Sequence, residues 1–191
     1  MPLYYCRHGQ TDWNIQGLVQ GRVNIPLNEI GIQQAQEARE HLKDLPIDLA
    51  FCSPIGRTMQ TADIILKGRN IPLQEDPRLL EFYYGIYEGK SIKDEEFLAR
   101  RKAHFKRVKG AESYFDVAYR VYSFLHEIEE KYPDKNVLVI AHGGLSRVVQ
   151  SYFFDMENEE FETFRIGNCE VVRYDWPHRD IPQCIEPSAY K

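Results

Sequence analysis

The sequence predicts an α/β fold: a three-layer sandwich with a mostly parallel central sheet flanked by helices and a small cap insertion. Three observations predict it. Short apolar runs of strand length alternate with segments whose apolar residues recur at helical spacing. The runs are continuous, as in strands covered on both faces. Three of them stop at an Arg, His or Ser-Pro, and ligands of open α/β sheets collect at the carboxyl ends of strands.

In chain order, strands are expected at residues 2–6, 48–52, 71–74, 137–141 and 168–175. After Gly31, residues Ile32, Ala35, Ala38, Leu42 and Leu45 give a helical stripe; after Pro54, residues Met59, Ala62, Ile65 and Leu66 give a second. Ser53 and Pro54 read as the N-cap and first residue of that second helix. The longest stripe runs through Tyr114, Val117, Ala118, Val121, Phe124, Leu125, Ile128 and Tyr132 and is read as core packing. No repeat, low-complexity tract or linker-like shift divides the chain, so one domain over residues 1–191 is expected.

Residues 82–112 break the alternation and are read as the cap over the strand ends. They open with Phe82, Tyr83, Tyr84 and Tyr87. Later they carry Arg100, Arg101, Lys102, Lys106, Arg107 and Lys109, with no acid from Phe97 to Ala111. Most of these cations are expected on a solvated face, with one or two turned toward the pocket.

The chemistry gathers at the strand ends. Arg7-His8-Gly9 follows Leu3-Tyr4-Tyr5-Cys6 and sets a nucleophile beside a fixed cation; alone, such a tripeptide is an ordinary turn. Its weight comes from recurrence. Arg57 falls in the first turn after Ser53-Pro54, where the helix dipole disfavours a cation unless an anion meets it. His142-Gly143-Gly144 ends Leu138-Val139-Ile140-Ala141, with glycines expected to let backbone approach a ligand. Together these ends predict a phosphoryl site.

These motifs resemble the histidine phosphatase superfamily, in its phosphoglycerate-mutase-like branch. The resemblance is carried by Arg7-His8-Gly9-Gln10-Thr11-Asp12-Trp13-Asn14, Gln20-Gly21, Pro26-Leu27, Gly31, Ser53-Pro54, Arg57-Thr58, Gln60-Thr61-Ala62, Leu80-Glu81, Gly85, Glu88-Gly89 and His142-Gly143-Gly144. They fall in family order from residue 3 to about residue 175. Two departures stand out, Asn24 where many relatives have Asp and Tyr87 where many have Trp, and both are expected to bear on substrate choice rather than on phosphate chemistry.

Phosphoryl transfer needs a neutral imidazole nitrogen. Guanidinium charge nearby disfavours the imidazolium, so Arg7 and Arg57 are expected to keep His8 unprotonated while gripping the phosphoryl oxygens. Asn14 and His142 add donors. The resemblance implies a covalent phosphohistidine on His8. It also implies that Glu81 protonates the leaving alkoxide and later activates water, and that Gln20, Gly21 and Gly143 sit against the substrate with Arg7, Asn14, Arg57, Glu81 and His142.

Bulk properties narrow the setting. A formal charge of -5 argues against general affinity for nucleic acid or anionic membrane. No long uncharged apolar stretch suggests a membrane span or signal peptide. Cys6, Cys52, Cys169 and Cys184 form no C-x-x-C pair, so neither a structural zinc nor a disulfide framework is expected, Cys6 and Cys52 are read as core residues, and a cytoplasmic setting follows. The partner expected is a small phosphorylated substrate, with no cofactor and no metal. The first reading is a metal-independent histidine acid phosphatase-type phosphomonoesterase, because a short cap leaves the phosphohistidine open to water. The runner-up is cofactor-dependent mutase-type transfer, for which Arg100-Arg101 is the one superficial match. A non-catalytic phosphate-binding protein comes third, since both His8 and Glu81 are present.

Overall fold

A computed structural model describes residues 2–176. Its sheet has five strands: β1 (Pro2–Arg7), β2 (Leu49–Cys52), β3 (Leu73–Glu75), β4 (Val137–Ala141) and β5 (Val171–Asp175), in the order β3-β2-β4-β1-β5. The β2–β3, β2–β4 and β1–β4 pairs are parallel, and β5 runs antiparallel to β1. The helices are α1 (Asp12–Ile15), α2 (Glu29–Leu42), α3 (Gly56–Leu66), α4 (Glu95–Lys102), α5 (Tyr114–Lys131), α6 (Gly143–Phe153) and α7 (Asn158–Thr163).

Strand alternation explains the three layers. Leu3, Tyr5, Leu49, Phe51, Val137 and Val139 point to one face and pack with Val117, Val121, Phe124, Leu125 and Ile128 of α5 and Leu145, Val148 and Val149 of α6. Tyr4, Cys6, Ala50, Cys52, Leu138 and Ile140 point to the other, against Ala35, Ala38 and Leu42 of α2 and Ala62, Ile65 and Leu66 of α3. β1, β2 and β4 therefore read as continuous apolar runs, which is why they were visible in the sequence. Full burial of such side chains contributes about 1.5–3 kcal/mol each. Cys6, Cys52 and Cys169 are free and buried, all three in this second cluster; Cys184 lies outside the described residues.

Several boundaries differ from expectation for local reasons. Asn28 caps α2 by accepting from Gly31 N, so Gly31 lies inside the first turn, and the helix stops at Leu42, short of Leu45. Ser53 is not the cap of α3. Ile55 occupies that position without a side-chain bond, and Asn24 Oδ1 accepts from Gly56 N at 3.0 Å. Asn24 thus supports the helix that carries Arg57. On α5 a capping box forms between Ser113 and Asp116. Strand β5 begins at Val171, later than expected. Cys169 takes a left-handed conformation (φ 54°), and the Asn168 side chain turns back to the β1 end, donating to His8 O at 2.9 Å.

Between Glu81 and Ser113 the chain forms two 3-10 turns, Gly85–Tyr87 and Val108–Gly110, around α4. Phe97 of α4 and Tyr87 pack with Val19 in a small third cluster, which fastens this segment over the carboxyl ends of β1, β4 and β2. Among the described residues no helix is long and apolar enough to cross a membrane.

Candidate active site

His8 immediately follows β1. Its backbone N–H donates to Ala141 O at the end of neighbouring β4, so two adjacent parallel strands fix where the ring starts. The ring is 3% exposed. Its Nδ1 lies 2.7 Å from Gly9 O, a contact only an N–H can make, which assigns the proton to Nδ1 and leaves Nε2 with its lone pair. Burial, then the charges of Arg57 and Arg7, hold the His8 pKa well below the ordinary histidine value.

Arg57 is fully buried and stretched among four acceptors. Its Nη1 donates to Val23 O at 2.9 Å and its Nη2 to Gly21 O at 2.7 Å; Nε meets His8 Nε2, and Nη2 meets His142 Nδ1, both at 3.2 Å. Burial and the neighbouring Arg7 lower its pKa to about 10, against the pull of Glu81 and Glu88. It therefore stays charged near neutrality. Thr61, one turn further along α3, accepts from Gly9 N at 3.1 Å and donates to Arg57 O at 2.7 Å, joining the helix to the His8 loop.

His142 sits between these groups because β4 lies between β1 and β2. Tyr5 holds its backbone from β1, with Oη donating to His142 O at 2.6 Å and accepting from His142 N at 3.1 Å. Both ring nitrogens are engaged, Nε2 with Ser53 Oγ at 2.8 Å and Nδ1 with Arg57. In this arrangement His142 is fully buried behind Arg57 and does not line the cavity. The Arg57 N–H requires Nδ1 to accept here; because the Ser53 hydroxyl can either accept from or donate to Nε2, the other tautomer becomes possible only when Arg57 moves off Nδ1.

Arg7, Asn14, Gln20, Gly21, Glu81 and Gly143 all line one cavity of about 220 Å³ with His8 and Arg57. Arg7 Nη1 donates to Ile166 O at 2.9 Å, while its buried Nε has no partner among the described residues. Asn14 spends its Oδ1 on the Thr11 capping box, which leaves its Nδ2 as a donor for the cavity. Gln20 Oε1 is buried and has no partner among the described residues.

Glu81, 8% exposed, accepts from Phe82 N at 3.0 Å through Oε1 and from Gly144 N at 2.9 Å through Oε2. The two glycines after His142 line the cavity and also make this arrangement possible. A Cβ on Gly144 would lie 2.4 Å from Glu81 Oε1, and one on Gly143 would lie 3.0 Å from Arg7 Nε. Gly143-Gly144 makes room for two side chains of the site.

At the cavity mouth one cation of the 82–112 run faces the pocket, within expectation, but the Arg100-Arg101 pair is split. Arg100 is buried over the rings of Phe82, Tyr84 and Tyr114 and donates to Glu112 O, so it does not reach the cavity. Only Arg101 of that pair does. Arg107 and Lys109 face outward and pair with Asp116 and Glu96. Two further cations line the mouth, Arg147 of α6 and Arg165 of the α7–β5 connection. Neither was singled out in the sequence. Arg147 lay inside an amphipathic stripe and Arg165 outside every motif, and the only signal was their place in chain segments that return to the strand ends.

A family model described as histidine phosphatase superfamily (branch 1) matches residues 3–183. "Uncharacterized phosphatase PhoE" of Bacillus subtilis is 36% identical over 179 residues, 91% of this chain and 90% of its own. "Probable phosphoglycerate mutase GpmB" of Cronobacter sakazakii is 30% identical over 183 residues, 92% and 85% of the two chains. The crystal structure of the alpha-ribazole phosphatase from Shigella flexneri superposes with a TM-score of 0.83 at 28% identity, covering 93% of this chain and 92% of that one. The chain belongs to the histidine phosphatase superfamily.

Proposed function

We propose that this histidine phosphatase hydrolyses a small phosphorylated metabolite through a phosphohistidine on His8. The observation that carries the reading is the His8 Nε2 lone pair, held by the Nδ1 contact with Gly9 O beside the guanidinium groups of Arg7 and Arg57. Phosphatase relatives such as the Bacillus subtilis protein and the alpha-ribazole phosphatase support the same activity.

The steps follow from the geometry. An incoming phosphoryl group displaces Arg57 Nε from His8 Nε2, exchanging a neutral acceptor for anionic oxygens, the stronger charge-assisted partner. Nε2 attacks phosphorus as the bond to the leaving alkoxide breaks. Glu81, as a carboxylic acid, gives that oxygen its proton. The carboxylate then takes a proton from water, whose oxygen attacks phosphorus; the P–N bond breaks and inorganic phosphate leaves. Arg7 Nε, the Arg57 guanidinium and Asn14 Nδ2 meet the phosphoryl oxygens, and His142 joins them in its Nδ1-protonated tautomer once Arg57 shifts. Gln20, Gly21 and Gly143 border the substrate, and residues 82–112 act as the cap of a single domain.

No step calls for a metal. Among the described residues no three His, Cys, Asp or Glu are gathered so as to hold one. The mutase-type reading keeps the phosphatase reading company because of relatives such as the Cronobacter protein. It is disfavoured by the position of Arg100, whose side chain is committed to Phe82, Tyr84 and Tyr114. The test is phosphate release from a panel of phosphomonoesters with and without EDTA, alongside 3-phosphoglycerate isomerisation with and without 2,3-bisphosphoglycerate. His8-dependent hydrolysis insensitive to EDTA is expected. Bisphosphoglycerate-dependent isomerisation much faster than phosphate release would establish the mutase reading instead.

A further inference from the structure

The Glu81 carboxylate is oriented by the N–H that follows it, since Phe82 N donates to Glu81 Oε1 at 3.0 Å. That N–H belongs to the Glu81–Phe82 peptide, which is trans and planar, so its carbonyl oxygen points the opposite way. Two guanidinium groups grip this oxygen, Arg22 Nε at 3.2 Å and Arg120 Nη2 at 3.3 Å. Whatever fixes Glu81 O therefore also aims the N–H that holds the carboxylate. Residues 80–84 lie in neither helix nor strand, so no regular ladder does this instead.

Both guanidinium groups are held by Glu112. Its Oε1 accepts from Arg22 Nη2 at 3.0 Å and from Arg120 Nε at 3.1 Å. Its Oε2 accepts from Arg120 Nη2 at 3.1 Å and from Tyr83 N at 2.9 Å. Four donors meet the four lone pairs of one carboxylate, so every acceptor position is used. The two-pronged contact with Arg120 fixes direction as well as distance. Arg120 Nη1 extends the grip to Arg78 O and Leu80 O, each at 2.6 Å. Glu112 is itself tied down, its N–H donating to Tyr83 O at 3.0 Å and its carbonyl accepting from Arg100. With side chains 19% and 14% exposed, Glu112 and Arg120 are better shielded than a surface pair, and their bonds are correspondingly stronger.

We propose that Glu112, acting through Arg22 and Arg120, is a positioning residue for the proton-donating carboxylate of Glu81. The proposal rests on the phosphatase reading, which makes Glu81 the acid. Glu112, Arg22 and Arg120 all lie outside the cavity lining, so none of them touches the reacting atoms. Without the Glu112 carboxylate, two like charges face each other and separate, and the Glu81–Phe82 peptide loses its anchor. Gly144 N then holds Oε2 alone. A misplacement of about 1 Å is enough to cost on the order of 10²-fold in rate. Arg7 and Arg57 come from the end of β1 and from α3, and they keep their places.

The test is Glu112→Gln, assayed on glycerol 3-phosphate, whose alkoxide needs a proton, and on p-nitrophenyl phosphate, whose phenolate scarcely does. Gln offers one oxygen to four donors and sets an N–H2 against the rest. With phosphoryl transfer rate-limiting, kcat/KM for glycerol 3-phosphate should fall roughly 10- to 100-fold, and for p-nitrophenyl phosphate less than about threefold. In a Glu81→Gln background the same substitution should add nothing, because it acts through the group already removed. Equal effects on both substrates, including none, or losses that multiply with those of Glu81→Gln, would overturn the positioning role and leave Glu81 as the acid. A Glu81→Gln protein that treats the two substrates alike would instead sink the acid assignment, and the proposal with it. Should Glu112→Gln not fold, Arg22→Gln decides, since Arg22 is the more exposed partner at 34% and gives Glu81 O a single bond. A severalfold loss confined to glycerol 3-phosphate in that variant supports the positioning role, and no such loss overturns it.

Discussion

Arg57 Nε lies 3.2 Å from His8 Nε2, so the guanidinium rests on the lone pair that the phosphatase reading makes the nucleophile. On the proposed mechanism this same group covers the attacking nitrogen until phosphoryl oxygens arrive and then grips them. A cation at this distance, with burial, keeps the ring neutral.

Arg57→Gln removes that charge, and the His8 pKa should rise toward the ordinary histidine value. Ring ¹⁵N shifts in an NMR titration read this directly. Turnover should fall on the order of 10²-fold or more, as for a lost oxyanion donor. A titration midpoint unchanged by the substitution would show that burial alone sets the ring's state.

His8 and His142 both have pKa values held well below 6.5, by burial first and by Arg57 next. The sign follows from linkage. Above about pH 7 both states are neutral and the stability is fully present. As pH falls below about 6.5 the unfolded rings take protons and the folded ones do not, so stability drops by up to about 1.4 kcal/mol per pH unit per ring until the lowered folded values are reached. Urea unfolding between pH 7.5 and 5.5 should show this loss, and His8→Gln should remove about half of it. An identical pH dependence in that variant would contradict the assignment.

Glu81 and Gly144 should fail together. Glu81→Gln is expected to lower turnover of alkyl phosphates by roughly 10² to 10⁴, the usual scale of general-acid help, and to matter much less for p-nitrophenyl phosphate. Gly144→Ala sets a methyl group 2.4 Å from Glu81 Oε1 and should reproduce that pattern by displacing the carboxylate. Equal losses on both substrates, with phosphoryl transfer rate-limiting, would remove Glu81 from the role.

The strands were legible because β1, β2 and β4 are buried on both faces, and the chemistry was legible because it sits where they end. Arg7, His8 and Arg57 meet in one cavity for that reason, whereas Glu81, which lines the same cavity, follows no buried strand and was legible only through the family resemblance. Legibility faded where a residue's task depends on a distant partner. Nothing local tells that the distant Asn24, and not Ser53, takes up the first amide of α3, or that Gly144 leaves room for Glu81. Arg100 and Arg101 are adjacent in sequence, yet on a helix neighbours point about 100° apart, and only tertiary packing decides which one meets the rings.

The central claim is covalent chemistry at His8, and single-turnover rapid quench with ³²P-labelled substrate tests it most directly. The account predicts acid-labile, base-stable label on the protein that rises and decays at rates matching turnover, maps to His8 and is absent from His8→Ala. An active enzyme that releases all of its phosphate without label ever appearing on His8 would contradict it.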